Sequence, residues 1–100
     1  MSITLELESE FRKKVAETWW HSRLNQLLQG DHTGTACLRF IDENGDAVFN
    51  QFQIPVLLGE LRALRTPLLD AELVSVLDDL VSRVESAEGK VGVYVRFSGD

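Results

Sequence analysis

Leu69, Leu73, Val76, Leu77, Leu80, Val81 and Val84 recur at spacings of 4, 3, 1, 3, 1 and 3. That rhythm puts all seven on one face of a helix. The opposite face carries Glu72, Ser75, Asp79, Ser82, Arg83 and Glu85. Asp79 and Arg83 sit at the i,i+4 spacing of a helical ion pair. The helix begins at Thr66-Pro67 or at Asp70, and Gly89 ends it. A one-sided helix must bury its stripe against a flat apolar surface. The chain supplies one directly afterwards: Val91, Val93, Val95 and Phe97 alternate with Gly92, Tyr94, Arg96 and Ser98, the pattern of a half-buried strand.

The rest of the chain extends this helix-on-sheet pairing. Ile3, Leu5 and Leu7 alternate with polar residues and predict a short strand, with an extra helical turn as the alternative. Ser9 is a cap for a helix over 10–29. Its apolar residues form two stripes, Phe11, Val15 and Trp19 on one and Trp20, Leu24, Leu27 and Leu28 on another. Such a helix is buried on two sides, breaks near His21-Ser22, or gives one stripe to a partner chain. The segments 35–41 and 47–52 predict two strands joined at Asn44-Gly45, a strong type I′ hairpin signal. That register faces Glu43 with Asp46, Ile41 with Val48, Arg39 with Asn50 and Cys37 with Phe52. Pro55 fits the first turn of a helix whose stripe is Ile54, Leu57, Leu58, Leu61 and Leu64. The order is β-α-β-β-α-α-β. It predicts a single α+β domain over 1–100, a sandwich of a small, mainly antiparallel sheet with helices on one face.

Composition narrows the function classes. Ten basic against 16 acidic residues give a net charge of -6, which repels a phosphate backbone and excludes a broad nucleic-acid face. It steers association toward basic partners. The acidic start of the chain lacks the basic and apolar regions of a secretory signal, and the apolar run at 54–58 is too short for a bilayer. The expectation is a cytoplasmic protein with no membrane contact. Cys37 is the only cysteine, so neither an internal disulfide nor a four-cysteine zinc site forms.

The search for chemistry returns little. Asp42, Asn44 and Asp46 match the opening of a calcium loop, but the sixth position is Ala47 and the twelfth Gln53, where glycine and glutamate are required. His21 and His32 lack the spacing of a helical metal pair. Cys37 with His32 and Asp31 has the residue types for nucleophilic catalysis but sits in a predicted strand, where cysteine serves as a small hydrophobe. No phosphate-cradling glycine motif is present. No metal, cofactor or catalytic residue is assigned. Arg39 and Arg96, each preceding a phenylalanine, share a sheet face if their strands are neighbours; the expectation is two snorkelling side chains with local salt bridges to Glu6, Glu8 or Asp42, and an anion pocket is the functional alternative. Asn50 and Gln53 satisfy backbone groups at a strand-to-helix junction or bind a ligand. Of Trp19 and Trp20, one faces the core and the other leaves it.

The stretch from Ile41 to Leu64, with its hairpin acids, its Phe49-Asn50-x-x-Gln53 and its leucine helix, together with the terminal strand Val93 to Asp100, resembles a group of small bacterial proteins. The resemblance covers the last two-thirds of the chain. It implies a compact bacterial domain and no catalytic residues.

The expected function is therefore a non-catalytic protein-binding module, similar to immunity proteins that neutralise a basic partner. Asp42, Glu43, Asp46, Trp19 and Trp20 are its candidate contacts. The alternative is a regulatory domain binding a small molecule or anion through Arg39, Arg96, Asn50 and Tyr94. A small enzyme using Cys37 or carboxylates comes third. A homodimer is compatible with each.

Overall fold

The computed structural model describes residues 2–11 and 13–99. The elements are β1 (Thr4–Ser9), α1 (Leu24–Leu28), a 3₁₀ turn (Leu38–Phe40), β2 (Asp46–Phe49), α2 (Ile54–Arg62), α3 (Ala71–Glu85) and β3 (Val93–Ser98). The strands form one antiparallel sheet in the order β1-β3-β2. Leu5, Leu7, Ala47, Phe49, Val95 and Phe97 point to one face and are buried. Phe49 and Phe97 meet there edge-on, with ring centroids 6.2 Å apart. The buried stripes of all three α-helices complete that same core. The fold is the α+β arrangement of helices on one face of a small antiparallel sheet.

The helix read from the 69–84 stripe is α3. It starts at the later of its two candidate caps: Asp70 Oδ1 accepts the Leu73 N–H at 2.9 Å. Arg23 lays its fork on the same carboxylate, at 2.7 and 3.0 Å, and reaches Glu72 at 2.8 Å. Hydrogen bonding from Arg23 first, and then from the Leu73 amide, holds the Asp70 carboxyl below the ordinary range. Asp79 and Arg83 form the expected pair at 3.0 Å. No helix among the described residues is long and apolar enough to cross a membrane.

Three local expectations are corrected. The helix over 10–29 shrinks to α1 (Arg12, within the predicted span, lies outside the described residues). Residues 13–19 instead run along the outer edge of β1 as a strap: Leu5 N–H donates to Trp19 O at 2.7 Å, Trp19 N–H to Leu5 O at 2.9 Å and Val15 N–H to Leu7 O at 2.9 Å. An edge strand leaves a row of backbone donors and acceptors open, and the strap pairs them. Local helix propensity, a few tenths of a kcal/mol per residue, yields to that demand.

Second, 35–41 is not a strand and makes no hairpin with 47–52. The Glu60 carboxylate of α2 accepts the N–H groups of Ala36, Cys37 and Leu38 at 2.6, 3.0 and 3.0 Å, winding this segment into the 3₁₀ turn. β2 pairs with β3 instead. Gly45 is not at positive φ, so the type I′ turn does not form. Asp42 Oδ1 folds the tip by accepting the Asn44 N–H at 2.9 Å. Third, the alternation of the last strand stops short of Val91, because Gly92, at φ 79°, turns the backbone and leaves Val91 in solvent.

Two sequence signatures acquire structural reasons. Asn50 and Gln53 form a reciprocal cap ahead of α2: Asn50 Oδ1 accepts the Gln53 N–H at 3.1 Å, and Gln53 Oε1 accepts the Asn50 N–H at 2.9 Å. Gly45 and Gly99 become neighbours. Gly99 N–H donates to Gly45 O at 2.8 Å, and a Cβ on Gly99 would collide with the backbone of Asp42 and Glu43. Asp100 lies outside the described residues.

Candidate binding surface

The sheet face away from the helices carries the second half of every alternation. Register sets its rows. Glu6, Arg96 and Val48 face one another across the three strands, as do Thr4, Ser98 and Asp46, while Glu8 stands opposite Tyr94. Arg96, on the central strand, reaches both neighbours: Nε donates to Glu8 at 2.8 Å and Nη1 to Asp46 at 3.0 Å. Glu8 is only 6% exposed, the one buried charged residue among those described. Its hydrogen bond to Arg96 outweighs the desolvation of the guanidinium and raises the Arg96 pKa. This arginine is a cross-strand tie. Its fork is already spent on carboxylates, which leaves little of it for an exogenous anion.

At the end of this face lies a cleft of about 310 Å³ lined by Glu10, Asn50, Gln51, Phe52, Val91, Gly92, Val93 and Tyr94. Asn50 and Tyr94, two of the ligand-binding candidates, meet here. Phe52 and Val91 stand 77% and 86% exposed on its walls. The reciprocal cap projects Phe52 outward, since its N–H is held by Asn50 Oδ1 at 2.9 Å. Sequence pattern placed Phe52 and Val91 in paired strands. The signal for the correct reading was the capping box at 50–53 and the glycine at 92.

Arg39 is elsewhere. It belongs to the 3₁₀ turn, its guanidinium 4.8 Å from the centroid of the exposed Phe40 ring. With Asp31, His32, Asp42 and Glu43 it lines a second cleft, of about 370 Å³. The two arginines therefore share no sheet face, and for Arg96 the local salt bridge, to Glu8, is what the structure shows. Asp42 and Glu43 stand at the tip beside this cleft, while Asp46 turns to Arg96. No three metal-ligating side chains cluster among the described residues. Trp19 is half-buried under Arg83, which lies 5.0 Å from its ring, and Trp20 is 56% exposed on the strap.

Cys37 is buried. Burial, and next to it the Glu60 charge, pushes its thiol pKa up. Asp31 Oδ1 accepts from Thr33, and His32 Nε2 lies 2.8 Å from Leu28 O. Neither contact couples these residues to the sulfur.

No protein-family model, no curated protein and no solved structure matches this chain.

Proposed function

We propose that this chain is a non-catalytic binding module that seats on a basic protein partner, in the manner of an immunity-type inhibitor in the bacterial cytoplasm. The observation that carries the reading is the helix-free sheet face. Phe52, Val91 and Tyr94 form an apolar patch at its end, Val48 stands exposed beside Arg96, and Glu6, Glu10 and Asp46 flank them. The single cation among them, Arg96, is consumed internally. Exposed apolar side chains with a charged rim are the anatomy of a protein interface. A net charge of -6 adds long-range steering toward a basic surface. Trp20 on the strap and Asp42 and Glu43 at the tip are secondary contacts.

Cys37 is buried and its thiol pKa is pushed up by burial, then by the Glu60 charge, which leaves thiol catalysis with less support. The anion-binding alternative has less support, because Arg39 and Arg96 lie apart. The test is affinity capture at low salt with the whole chain as bait in a lysate of its native organism. A stoichiometric basic protein, eluted by salt, is expected. An empty capture at low salt refutes the reading.

A further inference from the structure

The cleft at the end of the sheet has the chemistry of a receptor for one cationic side chain. Among the described residues, its lining offers one carboxylate, Glu10, and two aromatic rings, Phe52 and Tyr94, and no basic side chain. Elsewhere in this molecule arginine covers exposed or half-exposed rings: Arg39 lies over Phe40 and Arg83 over Trp19. Among the described residues, no guanidinium stacks on Phe52, although its ring is more exposed than either. Nor does Glu10 make an ion pair among the described residues. An aromatic face beside a carboxylate suits a planar guanidinium, which stacks on the one and pairs with the other.

We infer that this cleft receives an arginine side chain of the basic partner as the anchor of the interface. The inference rests on the protein-binding reading above and adds the chemical identity of the group that is recognised. A guanidinium enters along the Phe52 ring with its fork toward Glu10. Its aliphatic stem lies on Val91 and the Gly92 backbone, where the absence of a side chain leaves room. Lysine, a compact and strongly hydrated point charge, fits less well, because it presents no plane to the ring.

The experiment is a titration of the ¹⁵N-labelled chain with N-acetyl-arginine methylamide, followed by amide chemical shifts. Saturable, salt-sensitive shifts are expected at Asn50, Gly92, Val93 and Tyr94, with millimolar affinity. The lysine analogue should bind more weakly, and the uncharged citrulline analogue should leave these resonances in place. Phe52→Ala and Glu10→Gln alter exposed side chains, so their spectra should otherwise match the parent, and each should weaken binding by about threefold or more. Equal shifts with citrulline, shifts centred on the Asp31–Asp42–Glu43 cleft, or no shifts at all would overturn the inference. The two readings fail separately. If a captured partner binds the double variant as tightly as the parent, the arginine anchor is wrong and the binding module stands. If arginine saturates the cleft but capture is empty, the guanidinium specificity of the cleft stands, and the partner reading falls together with the anchor's place in an interface.

Discussion

Replacing Glu60 tests how the middle of the chain is held. Its carboxylate accepts from the amides of Ala36, Cys37 and Leu38. Cys37 and Leu38 are buried and Ala36 is exposed. In Glu60→Ala, water can replace the bond to Ala36 but reaches the other two amides less readily. Leaving a buried donor unsatisfied costs about 1–3 kcal/mol, so two such donors give about 2–4 kcal/mol once partial wetting is allowed for. A domain of this size has roughly 5–15 kcal/mol in total. With a urea m-value of about 2 kcal/mol/M, the midpoint should fall by about 1–2 M at unchanged m. Glu60→Gln keeps a neutral acceptor and should lie between.

The pH dependence sharpens the test. Desolvation alone would raise the Glu60 pKa, but the three amide hydrogen bonds together outweigh it and hold the group below its ordinary value. The unfolded chain therefore takes up the proton first. The Glu60 contribution is fully present above the unfolded glutamate pKa and is lost as pH falls through the folded one. Urea titrations from neutral to acid pH should show the gap between wild type and Glu60→Gln closing as pH drops. A Glu60→Ala loss below about 1 kcal/mol, or a gap independent of pH, would refute the assignment of Glu60 as the organiser of this turn.

Two further outcomes follow from the packing. Gly99→Ala drives a methyl group into the Asp42–Glu43 backbone and should cost about 1–3 kcal/mol in chemical denaturation; a neutral result removes the close approach of Gly99 to that backbone. Arg96→Ala strands the buried Glu8 carboxylate and should destabilise by about 3–5 kcal/mol, with Glu8→Gln in the same chain recovering much of the loss; if the double variant is no better than the single, the pair is not coupled.

The surface was half legible in the sequence. Asn50 and Arg96 stand out as polar or charged residues amid apolar runs, Asp46 as an acid of the 42–46 turn, and strand alternation puts Tyr94 and Arg96 on the side away from the core. Phe52 and Val91 were not read as surface residues. Their exposure depends on where β2 stops and β3 starts, and a capping box and a glycine at positive φ decide that. The helix expected over 10–29 would place Glu10 in its first turn. Glu10 lines the cleft because the chain leaves β1 in a turn instead of a helix.

Periodicity alone determined α2, α3 and β3, because each buries one continuous face and that demand is written at fixed spacings within the segment itself. It determined the fold class for the same reason. What followed α1 and what preceded it could not be decided locally. The strap at 13–19 exists because β1 has an edge to close, and the 3₁₀ turn exists because Glu60 arrives from α2, 22 to 24 residues away in sequence. Backbone groups whose partners come from distant segments take the conformation those partners impose. Tertiary structure therefore decided the strap, the turn and the exposed cleft, and with them the surface on which the proposed function depends.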